Sequence, residues 1–433
     1  MIVNKEFHNI PSITFFFPYK GVGGVSVLFL RLSKYIAENY GIQTYLIDYP
    51  DGYMSQCALN NPLIQYIYFE EGSRIYVPEG SVLVFESRFP YLIPSELIVQ
   101  RNTKTIFWTL YPFNLLPLYI KHLRDLQCKS SIVHKFLINF FMLPLKKKLC
   151  NLIATMGQKR SLFFMDKTTL NITSDRLGIK IENPIFIPVP CDDDVTVTMR
   201  YEQRMKRQRD DSLSVCWIGR LETFKTHILI YTMQKLSRHA LENKLRIYMH
   251  IIGDGSDARF INESVLDNQW FQKINVGTLS GPEMRNYLKE NVDVVTAMGT
   301  SALEGAQLRI PSILLDFSYG PINGDYKFKW LFESSGYSLG DAITENHFEE
   351  GNKSLELIIA SLKSNYDMVA KQCFDYYINN HSMNVVCYKF LDALENASFR
   401  YEDFDPNFLK KSAFMKSYES FKGIYYHLVG FPR

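Results

Sequence analysis

Residues 213–230 read LSVCWIGRLETFKTHILI, and this stretch decides the fold class. Its first half is an apolar run typical of a buried strand, and the run ends at Gly219. Arg220 follows at once, Lys225 comes five residues after it, and apolar residues then recur at helical spacing. A strand, a glycine turn and a helix in this order are the repeating unit of a parallel sheet. The two cations on the turn either keep it solvated or meet an anion.

The alternation of strand-like and helix-like segments continues on both sides of this stretch. The fold class is therefore predicted as α/β, with parallel sheets in both halves of the chain. The predicted strands are Ile13–Phe17, Thr44–Ile47, Val82–Phe85, Thr105–Trp108, Ile185–Pro190, Leu245–Ile252, Ile274–Val276, Val292–Ala297 and Ile313–Asp316. The predicted helices are Val25–Glu38, Ile228–His239, Pro282–Glu290, Ser301–Arg309, Ser354–Lys371 and Met383–Leu394.

The length of 433 residues is too great for one ordinary hydrophobic core and predicts two domains. Residues 200–212 are highly charged and poor in apolar side chains, which is typical of a linker. We therefore expect one domain over residues 1–195 and a second over residues 212–400. An aromatic, amphipathic tail over residues 401–433 follows them.

The composition is that of a folded protein without an overall attraction for polyanions. The formal net charge is only +3, so any basic function is local, and the sequence contains no recognised nucleic-acid-binding module. The seven cysteines stand singly, which favours a reducing compartment and argues against structural zinc. The N-terminus does not resemble a signal peptide, and no long apolar run predicts a membrane span. A cytoplasmic location is the expectation.

A glycine-rich turn, Gly21-Val22-Gly23-Gly24, lies between the first predicted strand and the first predicted helix. Glycines at such a turn let backbone N–H groups approach an anion at the helix start. The third glycine of a dinucleotide-binding fingerprint is absent, and no acid is convincingly placed after the next strand, although Asp48 is near. A plain dehydrogenase is therefore disfavoured, and either a binding role or a packing role stays open for the turn.

A second turn, Gly299-Thr300-Ser301, opens a predicted helix and carries Glu304 one turn further on. Free amides and hydroxyls at a helix start suit a phosphate, and Glu304 is placed to accept hydrogen bonds from ribose hydroxyls. Ordinary helix capping explains the same residues. The sequence Gly253-Asp254-Gly255, which ends a predicted strand, is interpreted as a turn.

Four segments taken in order resemble the nucleotide-binding half of GT-B glycosyltransferases of family 4. They are IGRLETFK (218–225), MHIIGDGS (249–256), INVGTLSGPEMRNYL (274–288) and MGTSALEGAQLRIPSILLD (298–316), and GVGGVSVLFLRLSKYIAENYG (21–41) resembles the glycine loop and first helix of that family. The resemblance covers roughly residues 12–395 in order. It implies a GT-B fold, in which two Rossmann-like domains face each other across a cleft and a C-terminal helix crosses back to the N-domain.

The resemblance also implies roles for individual residues. Arg220 and Lys225 would hold the donor diphosphate and stabilise the charge on the leaving nucleotide. The other donor-binding positions that it implies are Glu304 for the ribose, Gly299, Thr300 and Ser301 for the phosphate or donor sugar, Gly277, Thr278 and Leu279 beside the base, and Gly219, Gly23 and Gly24 facing the donor.

Two positions depart from the pattern of that family. The first glutamate of its Glu-x7-Glu motif falls at Thr296, which has no carboxylate. Glu86 stands where the family often has a histidine; it acts as a base, orients the acceptor, or is only a surface carboxylate. Residues 192–194 are acidic but lie in the linker, so we expect no metal and no other cofactor, with the cations in the place of a divalent ion.

Residues 119–160 combine nine cations and one acid with blocks of Phe, Leu and Ile. A solvated helix face explains many such runs, whereas an anionic membrane surface would attract this one. Peripheral contact with the inner face of the membrane is the expectation, and it would bring lipid-linked acceptors within reach.

The predicted activity is glycosyl transfer of the hexosyltransferase type, from a nucleoside-diphosphate sugar to a glycan or lipid-linked acceptor. By resemblance it is retaining and metal-independent, and it serves the synthesis of a surface polysaccharide, lipopolysaccharide or glycolipid. Two alternatives stay open. One is a sugar-nucleotide epimerase of the same architecture, and the other is a non-catalytic nucleotide-sugar-binding scaffold, which Thr296 favours.

Overall fold

The computed structural model describes residues 7, 9–21, 23–57, 60–88, 93–116, 131–140, 143–191, 212–343 and 352–404. These residues divide into two compact units. Unit 1 contains the chain up to Met165, the segment Thr169–Ile185 and the chain from Lys389 onward; unit 2 contains Asp166–Thr168 and Phe186–Tyr388. The predicted division lay between residues 195 and 212, whereas the chain leaves unit 1 at Ile185. Residues 192–211, which carry the predicted linker, lie outside the described part.

Unit 1 is built on a seven-stranded sheet with the strand order β3-β2-β1-β5-β7-β8-β9. All pairings from β3 to β8 are parallel, as the alternation of strands and helices predicted. The strands of the sheet are β1 Ser12–Phe16, β2 Gln43–Asp48, β3 Ile64–Tyr68, β5 Ser81–Glu86, β7 Thr105–Thr109, β8 Leu162–Phe164 and β9 Ile185–Phe186, and a separate parallel pair is formed by β4 Ile75–Tyr76 and β6 Leu97–Ile98.

The helices of unit 1 cover a core that is rich in aromatic rings. On one face of the sheet Phe15 packs on Phe29 of the first helix, with 4.8 Å between the ring centroids. The helices are α1 Gly24–Tyr40, α2 Tyr53–Gln56, α3 Ser131–Phe140, α4 Leu143–Gln158 and α5 Lys167–Leu177, of which α5 begins in unit 2.

The chain returns to unit 1 through its last long helix, α11, which spans Met383–Asn396. Phe390 of α11 stacks on Trp108 at 5.3 Å and on Phe15 at 6.0 Å. Beyond the helix, the Phe399 carbonyl accepts a hydrogen bond of 2.8 Å from the Thr105 amide. A helix that returns to unit 1 is therefore present before the C-terminal tail, in which the resemblance implied a crossing helix. Residues 405–433 lie outside the described part, and their packing stays a prediction.

Unit 2 is built on a six-stranded sheet with the order β12-β11-β10-β13-β14-β15. Five strands are parallel and β15 is antiparallel to β14. The strands are β10 Ser212–Ile218, β11 Arg246–Ile252, β12 Phe271–Gly277, β13 Val294–Ala297, β14 Ser312–Leu314 and β15 Lys329–Trp330, and the helices are α6 Thr223–Asn243, α7 Ala258–Ser264, α8 Gly281–Asn291, α9 Ser301–Gln307 and α10 Leu355–Asn380.

One predicted strand is much shorter than the sequence indicated. The apolar run Ile185–Pro190 was expected to be a buried strand, but only Ile185 and Phe186 pair, and both are half-buried. Pro188 and Pro190 have no backbone N–H to donate to a neighbouring strand, so they end the pairing.

Candidate functional site

Four neighbouring parallel strands of unit 2 all end on a glycine with positive φ. The φ angle is 155° at Gly219, 140° at Gly253, 83° at Gly277 and 65° at Gly299. These residues follow or end β10, β11, β12 and β13, which are adjacent in the sheet, so they lie along one carboxyl edge. The carboxyl edge is where ligands bind in open α/β sheets, and glycine lets backbone approach them closely.

The turn after β11 holds the turn after β10 by direct backbone contact. A Cβ atom on Gly253 would lie 2.1 Å from the Gly219 carbonyl oxygen, and one on Gly255 would lie 2.3 Å from the Leu221 carbonyl oxygen. The Leu221 amide donates to the Asp254 carbonyl at 3.0 Å. Gly253-Asp254-Gly255 is therefore more than the simple turn that the sequence indicated, because its glycines fix the loop that carries Arg220.

Arg220 and Lys225 lie together on that loop. The Arg220 side chain is 72% exposed and pairs with Glu222 at 2.8 Å, so it can swing to a ligand without disturbing the fold. The Lys225 ammonium lies beside the Gly219 backbone, 3.2 Å from where a Cβ atom on that glycine would be. Burial lowers the pKa of Lys225, and the nearby charge of Arg220 lowers it further.

The Lys225 side chain is partly buried, and the charge of Glu222 on the same loop favours its ammonium form, while the charge of Arg220 opposes it. Its ammonium lies 5.7 Å from the centre of the Phe224 ring and forms no hydrogen bond or ion pair with any residue in the described part. A cation that is partly desolvated and has no direct ion pair gains from a bound anion.

The turn after β13 presents backbone amides at the same edge. Gly299 donates its amide to the Leu339 carbonyl at 2.6 Å, which fixes the turn. Thr300 is the N-cap of α9, but its hydroxyl makes no capping hydrogen bond. The interpretation of this turn as ordinary side-chain capping is therefore wrong. The Thr300 and Ser301 amides have no acceptor among the described residues. Glu304 is half-buried in the first turn of α9.

The remaining predicted donor positions of unit 2 also lie at this edge. The Gly277 carbonyl accepts a hydrogen bond of 2.8 Å from the Gly253 amide, which ties the turn after β12 to its neighbour. Thr278 is exposed, whereas Leu279 packs against the core of unit 2. The structure therefore brings the predicted positions of unit 2 onto four adjacent loops.

Thr296 has a structural role in place of the missing carboxylate. It is 1% exposed within β13, and its hydroxyl donates to the Cys216 carbonyl of the adjacent strand at 3.2 Å. Because that donor is already used inside the sheet, Thr296 does not offer a contact to a ligand.

Gly23 and Gly24 begin α1 at the carboxyl edge of the sheet in unit 1. Gly23 is the N-cap, with an extended φ of −142°, and its carbonyl accepts a hydrogen bond from the Ser26 hydroxyl at 2.9 Å. A Cβ atom on Gly24 would meet nothing within 4 Å, so the space above this helix start is open. Val22 of the same turn lies outside the described residues.

Asp48 at the end of β2 is used by the backbone of its own unit. Its carboxylate accepts N–H groups from Tyr19 and Tyr49 at 2.8 Å, from Met54 at 2.9 Å and from Ser55 at 3.4 Å. The residue is buried, so these contacts anchor the loops around it. A carboxylate occupied in this way does not fit the ribose contact of a dehydrogenase.

Glu86 is the last residue of β5 and is only 1% exposed, so the interpretation as a surface carboxylate is wrong. Its Oε2 atom lies 3.1 Å from Nε of Arg88, whereas its Oε1 atom has no hydrogen-bond partner in the described part. Burial raises the pKa of Glu86 to about 7, although the charge of Arg88 opposes this. The carboxyl group can therefore gain or lose a proton near neutral pH.

The raised pKa of Glu86 makes stability depend on pH in a defined direction. Between pH 4.5 and about 7 the folded protein keeps this proton and the unfolded chain releases it, so stability falls as pH rises. We expect Glu86→Gln to remove this loss, which is on the order of 3 kcal/mol. Urea unfolding at about pH 5 and pH 8 measures it, with the exposed Glu79→Gln as control. Parallel pH curves for wild type and Glu86→Gln would contradict the burial of this carboxyl group.

The basic stretch forms two helices where it is described. Residues 119–130 lie outside the described part, and α3 and α4 follow. Phe136 is 51% exposed and Phe140 is 70% exposed, and their rings pack on each other at 4.6 Å. Val133 and Leu143 are exposed beside them. None of the helices in the described part is long and apolar enough to span a bilayer.

The residues considered for metal binding cannot be placed. Asp192, Asp193 and Asp194 lie outside the described residues. Among the described residues there is no group of three or more His, Cys, Asp or Glu side chains that could hold a metal ion.

Sequence comparison found no matching protein-family model and no matching curated protein. Structure comparison found matches over most of the chain. The glycosyltransferase from Rickettsia africae ESF-5 has a TM-score of 0.54 at 14% identity, covering 94% of this chain and 100% of that one. The N-terminal domain of Candida albicans trehalose-6-phosphate phosphatase has a TM-score of 0.52 at 12% identity, covering 89% and 97%. Sucrose-phosphate synthase from Thermosynechococcus elongatus has a TM-score of 0.50 at 10% identity, covering 88% and 97%.

These similarities extend over nearly the full length of each chain, and they accompany two Rossmann-like units and a last helix that returns to unit 1. The protein therefore has the GT-B fold.

Proposed function

We propose that the protein is a glycosyltransferase that moves a sugar from a nucleoside-diphosphate sugar to a glycan or lipid-linked acceptor. The observation that carries this proposal is the Lys225 ammonium beside Arg220 at the carboxyl edge of unit 2, which forms no hydrogen bond or ion pair within the described residues. Two structures of similar fold bear the names glycosyltransferase and sucrose-phosphate synthase, which supports sugar-transfer chemistry.

The proposed chemistry is stabilisation of the leaving group. When the bond between the anomeric carbon and the diphosphate breaks, negative charge develops on the departing phosphate oxygen. The Arg220 guanidinium offers paired N–H donors and the Lys225 ammonium offers a point charge to that oxygen. The free amides of Thr300 and Ser301 can add neutral donors. Fixed donors of this kind act most strongly where the charge develops in the transition state.

The finer assignments rest on this arrangement and on the resemblance to family 4. Two cations at the diphosphate can take the place of a divalent ion, which supports metal-independent transfer. Glu304 would hold the ribose. The resemblance also implies that transfer retains the anomeric configuration. It implies in addition a role in surface polysaccharide or glycolipid synthesis.

A donor-consumption assay tests the proposal. The protein is incubated with UDP-, GDP-, CMP- and dTDP-linked sugars, with and without a mixture of glycan and lipid-linked acceptors. Release of nucleotide that depends on the acceptor is the expected result. Conversion of the donor to another sugar nucleotide without acceptor identifies an epimerase, and tight binding without turnover identifies a scaffold.

We also propose that the protein is cytoplasmic and contacts the inner face of the membrane through residues 119–160. In the described part of that segment, the exposed pair Phe136 and Phe140 supplies apolar contact. The neighbouring Lys147 and Lys148 are exposed and supply charge complementary to anionic lipids.

The double substitution Phe136→Ser and Phe140→Ser is expected to weaken binding to vesicles with about 30% anionic lipid by at least about tenfold. Cosedimentation measures this. A matched control replaces Phe260 and Leu266, which are 53% and 77% exposed in unit 2, by serine. Equal losses in both double variants, or equal binding of wild type to neutral vesicles, would show that α3 is not the contact.

A further inference from the structure

A cavity of about 260 Å³ opens in unit 1 at the carboxyl edge of its sheet. It lies where three neighbouring strands end, because Phe16 ends β1, Tyr49 follows β2 and Phe69 follows β3. Its volume is below the roughly 300–1,000 Å³ of pockets for drug-sized ligands, so it suits a group the size of one ring. The residues that line it include Phe16, Tyr49, Phe69, Glu71, Pro94 and Glu96.

Three aromatic rings form the wall of this cavity, and among them the half-buried Tyr49 ring exposes the most surface to a ligand. The Phe69 ring meets the Phe16 ring edge-on at 5.9 Å and the Tyr49 ring edge-on at 5.6 Å. Phe16 and Phe69 are buried, and the backbone of Tyr49 is held by Asp48. Rigid aromatic surfaces of this kind pack against the C–H faces of ring-shaped ligands and attract cations.

Two carboxylates, Glu71 and Glu96, line the cavity. Glu71 is exposed and Glu96 is half-buried, and neither forms an ion pair within the described part. Glu96 accepts one hydrogen bond, from the Ser95 hydroxyl at 3.2 Å. Lys20 lies 5.5 Å from the centre of the Tyr49 ring and pairs with Asp51 at 2.8 Å, and its charge also attracts Glu71. The cavity therefore combines an aromatic wall with net negative charge.

We propose that this cavity binds a single sugar unit that carries a free amino group, as part of the acceptor. This deepens the proposed function and rests on it, since an acceptor is needed only if the protein transfers sugar. A neutral sugar leaves both carboxylates without a direct ion pair as its ring displaces water, whereas an ammonium group pairs with them and lies against the aromatic wall.

Binding of free monosaccharides tests the proposal without any sugar nucleotide. Saturation-transfer NMR titrations of the whole protein at about pH 6.5 compare glucosamine, N-acetylglucosamine and glucose, since an amine is protonated at that pH. Glucosamine is expected to bind at least about tenfold more tightly than either neutral sugar. In the double variant Glu71→Gln/Glu96→Gln this preference should fall to about threefold or less. The matched control Glu38→Gln/Glu79→Gln removes two exposed carboxylates elsewhere in unit 1 and should keep the preference.

Each outcome decides the proposal independently of the transferase activity. Equal binding of the three sugars, no binding of any, or an unchanged preference in Glu71→Gln/Glu96→Gln would overturn the amino-sugar site. If the preference is found but no sugar nucleotide is consumed in the donor assay, the proposed function fails while the site stands. If donor is consumed and the preference is absent, the acceptor binds elsewhere.

Discussion

Arg220→Ala is expected to lower turnover of the sugar nucleotide by about 10²–10³-fold, the usual effect of removing one donor to a developing negative charge. Its side chain is 72% exposed and contacts only Glu222 on its own loop, so the free energy of unfolding should change by no more than about 0.5 kcal/mol. Steady-state donor turnover and urea unfolding of the same variant measure the two quantities.

Arg259→Ala is the matched control for this variant. Arg259 is 90% exposed in the same unit and pairs with Glu263 on its own helix, as Arg220 pairs with Glu222 on its loop. The control should lose neither turnover nor stability. Wild-type turnover in Arg220→Ala would remove this arginine from the diphosphate site, and a similar loss in both variants would point to a general effect of charge.

Gly253→Ala is expected to destabilise unit 2 by about 3 kcal/mol and to abolish nucleotide binding. The new Cβ atom would lie 2.1 Å from the Gly219 carbonyl oxygen, and the φ of 140° is strained for any L-residue, so backbone strain and overpacking add together. The loop that carries Arg220 and Lys225 must then move. Three of the four tryptophans, Trp217, Trp270 and Trp330, lie in unit 2, so tryptophan fluorescence during urea unfolding reports mainly on this unit.

Gly277→Ala separates the two causes of that loss. Gly277 has a φ of 83°, but a Cβ atom there would meet nothing within 4 Å, so only the strain remains, at about 1 kcal/mol. Equal destabilisation by Gly253→Ala and Gly277→Ala would show that the contact between the turns after β10 and β11 does not fix the loop.

The sequence predicted the carboxyl edge of the sheet in unit 2 well because the signals there are local. A long apolar run that ends in glycine marks the end of a buried parallel strand, and adjacent strands of one sheet bring such ends together. The sequence alone therefore indicates Gly219, Arg220 and Lys225 as parts of one candidate binding edge. Short elements gave a weaker signal: β8 with three residues and β15 with two residues were not predicted.

Other features depend on neighbours that are distant in sequence, and these were missed or misjudged. The contact of Gly253 with Gly219 needs two strands side by side, so the sequence showed only a turn. The burial of Glu86 depends on the elements that cover the end of the sheet. The sequence around Glu86 does not indicate those elements. The four N–H groups on Asp48 come from the loop after β1, the loop after β2 and helix α2. In each case tertiary packing sets the chemistry of the residue.

The most direct test of a nucleotide site at the edge of unit 2 is calorimetric titration with ADP, CDP, GDP, UDP and dTDP. Wild type should bind one of these diphosphates, and Lys225→Met should weaken that binding by at least about tenfold, because it removes a cation that forms no ion pair within the described residues. Binding of none of the five diphosphates by wild type, or equal binding by wild type and Lys225→Met, would contradict the assignment.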